Sequence, residues 1–199
     1  MTNSLADRIL EKVRSKGRGA VFASKDYLDL GNRAAVDQAL SRLTRGGYIR
    51  RLSRGLYDYP EIHPRLGSLS PAPDAVAGAL AKKTNSTLQV SGAHAANKLG
   101  LTTQVPARVV YLTNSSSKRV KVGNRTFDLR HTTPKNMAAA GRASGTVIQA
   151  LRYIGRDSVD AGVIKKLRDT LSDDDKASLK KDVRYAPDWM RPVVAEITG

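Results

Sequence analysis

Residues 48–60 read YIRRLSRGLYDYP and follow the Gly46–Gly47 pair. Two short runs of β-favouring residues flank Gly55, which permits a tight turn, so the stretch predicts a β-hairpin. Apolar side chains are expected on the inner side of its sheet, namely Ile49, Leu52, Leu56 and Tyr57. The outward positions are then Arg50, Arg51, Ser53 and Arg54. The hairpin would therefore carry three positive charges outward.

A helix is predicted directly before the hairpin, over residues 33–45, with Asn32 as its cap. Its apolar residues recur at the spacing of one buried stripe: Val36, Ala39, Leu40 and Leu43. The outward residues are Arg33, Ala34, Asp37, Gln38, Ser41, Arg42 and Arg45. Because arginine and glutamine can bond guanine and adenine edges bidentately, this outer face is suited to base recognition.

The elements before that helix complete a recognisable order. Leu5 begins an amphipathic helix that Asn3 or Ser4 can cap, residues 19–22 are extended, and Ser24 can cap a second helix through Leu28. Helix, strand, helix, helix and hairpin form the order of a winged helix-turn-helix, whose third helix enters the major groove of DNA. We expect base contacts from Arg33, Gln38, Ser41 and Arg42, and phosphate contacts from Arg45, Arg50, Arg51 and Arg54, with Ser53 beside them. The alternatives are a solvated surface or a protein-interaction module.

The net charge supports a polyanionic partner. The chain has 34 Lys and Arg against 18 Asp and Glu, a net charge of +16. Such a protein usually binds nucleic acid, because neutralising phosphates releases condensed counterions. No apolar run is long enough to cross a membrane, and no basic amphipathic helix suits a membrane surface. The absence of cysteine excludes disulfides and thiolate sites and fits a cytoplasmic protein.

The composition divides the chain into a first domain over 1–60, a linker over 61–73 and a second domain over 74–199. The linker, EIHPRLGSLSPAP, is rich in proline. The second domain is predicted to be mixed α/β, with a small antiparallel sheet and a helical C-terminal end, so that the fold class is α+β. Gly123–Asn124 predicts a hairpin turn there. Around it lies a second basic surface: Lys118, Arg119, Lys121, Arg125 and Arg130.

No catalytic, metal or cofactor site is predicted. The three histidines have no metal-ligand spacing, and Ser91 with His94 is more simply explained by helix packing. An enzyme acting on RNA or on a protein side chain stays a further alternative, which separate changes of His94 and Asp128 would test.

Two stretches resemble a known family. AVDQALSRLTRGGYIRRLSRGLYDYP, with SGAHAANKLGLTTQVPARVVYLTN further on, is similar to the AbiEi-type antitoxins of bacterial toxin–antitoxin systems. The resemblance implies a winged helix that binds inverted repeats in the promoter of its own operon and represses it. Gln38, Ser41 and Arg42 then fall on recognition-helix positions, and Arg51 and Arg54 on the wing.

The resemblance also implies that the second domain counters a cognate nucleotidyltransferase-like toxin. The alternative is a basic interaction module that binds an acidic toxin directly, without specific DNA binding.

Overall fold

The structure, a computed structural model, describes residues 4–199 and divides into two compact units. The first contains the chain up to Asn85 together with Lys121–Gly123, and the second contains Ser86–Val120 and Asn124–Gly199. Helices and sheets occur in both units, which confirms the predicted α+β class.

The first unit begins with a capped helix. Ser4 Oγ accepts the Asp7 N–H, and the Asp7 carboxylate accepts the Ser4 N–H, a reciprocal capping box. Asn3, the other predicted cap, lies outside the described residues. The elements are α1 (Leu5–Ser15), β1 (Val21–Ala23), a 3-10 helix (Ser24–Tyr27), α2 (Arg33–Arg45), β2 (Arg50–Ser53), β3 (Leu56–Asp58), β4 (Ile62–His63), β5 (Gly67–Ser68) and α3 (Pro73–Thr84).

The predicted apolar stripe of α2 packs into the core of this unit. Val36, Ala39, Leu40 and Leu43 are all buried. They join Ile9 and Val13 of α1 and the aromatic rings of β1 and β3. The rings of Phe22 and Tyr27 meet edge to face at 5.4 Å. Strand β3 lies between β1 and β2 and pairs antiparallel with both.

The prediction of a second helix through Leu28 is wrong, because Ser24–Tyr27 forms only one 3-10 turn. The 61–73 segment, which was predicted as a linker, contains a small antiparallel hairpin formed by β4 and β5. Helix α3 then packs against β1 and buries Val76, Ala77, Ala79 and Leu80. The division between the units therefore falls after Asn85 instead of within residues 61–73.

The second unit is built from a sheet and a helical C-terminal part, as predicted. Its elements are β6 (Leu88–Ser91), α4 (Gly92–Lys98), β7 (Arg108–Thr113), β8 (Lys118–Val122), β9 (Arg125–His131), α5 (Pro134–Met137), α6 (Ala143–Ile154), α7 (Ala161–Thr170), α8 (Asp173–Asp182) and α9 (Met190–Thr198), with 3-10 turns at Arg156–Ser158 and Val183–Tyr185. The last two residues of β8 are among those grouped with the first unit.

The sheet of the second unit is mixed, so the prediction of an antiparallel sheet is wrong. Its order is β6-β7-β9-β8. Tyr111 of β7 pairs with Val90 of antiparallel β6 on one side and with Leu129 of parallel β9 on the other. All three side chains are buried, so these strands contribute their apolar residues to the core of the unit.

Candidate nucleic-acid interface

The outer face of α2 is open to solvent, as its sequence pattern predicts. The helix starts where Asn32 Oδ1 accepts the Ala35 N–H at 2.9 Å. Gln38, Ser41, Arg42 and Arg45 are exposed, and within residues 4–199 their side chains have no hydrogen-bond or ion-pair partner. The two arginines lie in the last turn, where positive charge is favourable to the helix dipole.

Arg33, at the first position of α2, is placed differently. Its Nε donates to Asp37 Oδ2 at 2.8 Å, and the two side chains are 62% and 47% exposed. An exposed pair at this helical spacing stabilises by only about 0.3–0.5 kcal/mol, so a phosphate could replace the carboxylate. Arg33 can therefore bind a phosphate only if that phosphate displaces the Asp37 carboxylate.

A β-bulge interrupts the regular pairing of the β2–β3 hairpin. Arg51 pairs with Tyr57 and Ser53 with Leu56, so that Leu52 has no partner in the ladder. Such a bulge bends the strand and changes where its side chains point. Arg51 and Arg54 are exposed, whereas Ser53 is only half-exposed.

Arg50, which was predicted to face outward and hold a phosphate, is half-buried and bound to other residues of the first unit. Its Nε donates to Asp58 Oδ1 at 3.1 Å and its Nη2 to Asp58 Oδ2 at 2.6 Å. The same guanidinium donates to Ser68 Oγ and to the Leu69 carbonyl oxygen. Asp58 is 1% exposed, and a buried carboxylate needs such a partner. Arg50 is thus a structural cation that holds residues 68–69 against the hairpin.

The hairpin turn, Arg54–Gly55, is held in a defined position. Gly55 has a φ of 67°, in the left-handed region that glycine adopts without steric cost. Its carbonyl oxygen accepts the N–H of buried Ser24 at 3.3 Å. The exposed Arg54 side chain therefore extends from a turn that is anchored to the rest of the unit.

The second basic surface is partly neutralised by a carboxylate. Arg130 donates to Asp128 Oδ2 at 3.2 Å through Nε and at 3.0 Å through Nη2, and Arg119 Nη2 lies 3.9 Å from the same oxygen. Lys118 is exposed and Arg125 is half-buried. Lys121 is grouped with the first unit, so the five predicted residues are not all in one unit.

The three histidines lie in separate places. His63 Nδ1 accepts the N–H groups of Arg65 and Leu66, both at 3.2 Å. His131 Nδ1 is 3.1 Å from the Ser115 carbonyl oxygen, and the His94 ring meets Tyr111 at 6.0 Å. Across residues 4–199, no three His, Asp or Glu side chains form a group that could hold a metal ion. Over the same residues, no helix has both the length and the apolar character needed to span a membrane.

Similarity to known proteins is limited. No curated protein matches the chain. A similar solved structure is the crystal structure of the RV2827C protein from Mycobacterium tuberculosis, at 17% sequence identity and a TM-score of 0.47, over 100% of this chain and 77% of that one. A family model described as a family of unknown function, DUF6088, matches residues 8–179. This protein therefore belongs to the DUF6088 family.

Proposed function

We propose that the first unit is a winged helix-turn-helix that binds double-stranded DNA, with α2 as the recognition helix and the β2–β3 hairpin as the wing. The protein then represses its own operon by binding inverted repeats upstream of it. By its resemblance to AbiEi-type antitoxins, it also antagonises a nucleotidyltransferase-like toxin. This proposal includes a cytoplasmic location and no enzymatic activity of the chain itself.

The main support for DNA binding is the charge balance of residues 33–58. This segment contains six arginines and two acidic residues. Asp37 pairs with Arg33 and Asp58 pairs with Arg50, so each acid is matched to one arginine. The remaining four, Arg42, Arg45, Arg51 and Arg54, are exposed and make no ion pair within the described chain. A surface that only needs to be soluble would intersperse both signs of charge, whereas a phosphate-binding surface requires unpaired cations.

The exposed side chains of α2 and the hairpin divide into proposed base contacts and proposed phosphate contacts. Gln38, Ser41 and Arg42 lie on the outer face of α2 and would contact base edges. Arg45, Arg51 and Arg54 would contact phosphates and hold the helix in register on the duplex. Arg33 would join them if a phosphate displaces Asp37.

Fluorescence anisotropy on two labelled duplexes tests the proposal. One duplex carries the DNA upstream of the gene, and the other has the same base composition in random order. The three phosphate contacts of Arg45, Arg51 and Arg54 predict that the binding constant falls about fortyfold between 50 and 200 mM salt. The upstream duplex should bind more tightly than the random one at every salt concentration.

Two results would overturn the proposal. A binding constant that does not change with salt would exclude phosphate neutralisation. Co-purification with the product of the neighbouring gene, without any binding to the upstream duplex, would favour the protein-interaction module instead.

A further inference from the structure

Helix α3 has buried apolar residues and opposite charges at its two ends. Its buried residues face β1, and its first turn contains Asp74 while its last turn contains Lys82 and Lys83. A helix of this length extends roughly 18 Å, so the acidic and basic ends are well separated. The positive charge of α3 is therefore confined to one end.

That basic end lies at the hairpin turn. Lys83 Nζ donates to the carbonyl oxygen of Arg54. A Cβ atom placed on Gly55 would be 3.6 Å from Lys83 Nζ and 3.5 Å from Ser24 Oγ. The turn is thus held from two sides, by the Ser24 N–H on Gly55 and by the Lys83 ammonium on Arg54.

Lys82 is the neighbouring residue and is exposed. Its Cα atom is about 3.8 Å from that of Lys83, and the two side chains leave the helix about 100° apart. Within the described chain the Lys82 side chain makes no ion pair or hydrogen bond. Its ammonium is therefore available to an anion at the same end of α3 as Lys83.

We propose that the C-terminal end of α3 is a third DNA-binding element, beside α2 and the hairpin, and that it binds the phosphate backbone. Lys82 contacts a phosphate, and Lys83 is a positioning residue that holds the hairpin turn so that Arg54 meets the backbone. This inference rests on the proposed DNA binding of the first unit. In addition to α2 and the hairpin, α3 and the hairpin turn would together bind the phosphate backbone of the DNA.

The Lys82→Gln variant tests the phosphate contact, with Lys180→Gln as the matched control. Lys180 is also an exposed lysine in the last turn of a helix, but it lies in α8 of the second unit. Loss of one phosphate contact lowers the slope of log binding constant against log salt by about 0.9, so the loss between 50 and 200 mM becomes about 3.5-fold smaller. Lys180→Gln should leave the slope unchanged. Equal salt slopes for Lys82→Gln and Lys180→Gln would show that Lys82 does not contact a phosphate.

A double-mutant cycle tests the positioning role of Lys83. Lys83→Met should weaken DNA binding in the wild-type background, and Lys83→Arg should restore part of the loss because it keeps a cationic donor. In an Arg54→Ala background there is no guanidinium to position, so Lys83→Met should have an effect at least about twofold smaller. Equal effects in both backgrounds would show that Lys83 does not act through Arg54.

The experiments separate this inference from the proposed function. If the wild-type protein shows no salt-dependent binding to either duplex, the proposed function fails. If wild type binds, Arg54→Ala weakens binding, and Lys82→Gln behaves as Lys180→Gln, the phosphate contact of α3 fails while the proposed function stands.

Discussion

Arg50 and Asp58 face each other across strands β2 and β3 and form a two-point ion pair, with N–O distances of 3.1 and 2.6 Å. The carboxylate is 1% exposed, while the arginine side chain is 36% exposed. The pair lies at the end of the hairpin opposite to the Arg54–Gly55 turn. Adjacent arginines of one strand thus have different roles, since Arg50 is bound internally and Arg51 is exposed.

We expect Arg50→Met to lower the free energy of unfolding by about 2 kcal/mol. The change leaves a buried carboxylate without its cation. The expected loss is smaller than the roughly 3–5 kcal/mol of a fully buried pair because the Arg50 side chain is partly exposed. Urea denaturation followed by circular dichroism measures it. Arg51→Met is the control, and we expect a change within about 0.5 kcal/mol because the Arg51 side chain makes no ion pair or hydrogen bond within residues 4–199. Equal destabilisation by both changes would contradict the structural role of Arg50.

In DNA binding, Arg51→Met should have the larger effect and Arg50→Met the smaller one. Arg51→Met removes a proposed phosphate contact, so the salt slope of binding should fall by about 0.9. Arg50→Met should keep the wild-type slope at temperatures where the variant is folded. A lower slope for Arg50→Met alone would show that this arginine leaves Asp58 to bind phosphate.

Arg42→Ala and Arg54→Ala should separate base recognition from backbone binding. Arg42→Ala should reduce the preference for the upstream duplex over the random one by about tenfold, the discrimination of one bidentate base contact. Arg54→Ala should weaken binding to both duplexes by a similar factor. Anisotropy titrations at a single salt concentration measure both ratios. The reverse pattern would invert the two roles.

Asp182 should contribute to the stability of the second unit. It is 5% exposed and accepts Ser144 Oγ at 2.6 Å and Arg142 Nη2 at 3.0 Å. Asp182→Ala leaves the buried Ser144 hydroxyl without this acceptor, so we expect a loss of about 2 kcal/mol. Fluorescence of Trp189, which belongs to this unit, follows its unfolding in urea.

Asp169→Ala is the control for Asp182→Ala. Asp169 pairs with Lys165 at the surface of α7, where the hydrogen bond from Lys165 lowers the pKa of the carboxyl group. Because both side chains of that pair are exposed, the unfolding midpoint should hardly move. Midpoints that shift equally for the two variants would contradict the importance of the buried network.

Two glycine-to-alanine changes should have opposite effects on the free energy of unfolding. A Cβ on Gly145 would lie 2.3 Å from the Ala139 carbonyl oxygen, and backbone cannot move aside easily, so Gly145→Ala should destabilise by about 1–3 kcal/mol. Gly78 lies inside α3, and apart from the backbone of that helix its added Cβ would meet no atom of the described chain within 4 Å, so Gly78→Ala should stabilise by about 0.5–1 kcal/mol. Urea midpoints measure both. A stabilising Gly145→Ala would show that α6 can shift away from residue 139.

Local pattern was sufficient for much of the first unit. The stripe from Val36 to Leu43, the Asn32 cap and the exposed face of α2 all follow from a 3.6-residue period and adjacent capping chemistry. Gly55 marked the turn of the hairpin for the same reason, since its conformation depends on a few neighbouring residues.

The sheet of the second unit required tertiary information. The Gly123–Asn124 turn between β8 and β9 was predictable, but the parallel pairing of β7 with β9 joins segments that a local pattern does not connect. Helix α3 is a similar case. Its apolar residues indicate a buried face, whereas only the fold determines that this face meets β1 and that Lys83 reaches Arg54.

The sequence by itself determined which helix and hairpin form and which arginines stand outside the apolar stripe. Only the tertiary structure decided the role of Arg50. A regular two-residue turn at Arg54–Gly55 would place Arg50 opposite Tyr59, but the bulge at Leu52 shifts the register so that Arg50 faces Asp58. The physical reason is that side-chain periodicity is a local property of the chain, whereas strand register depends on the total packing of the sheet, and a shift of one residue changes the partner of every side chain beyond it.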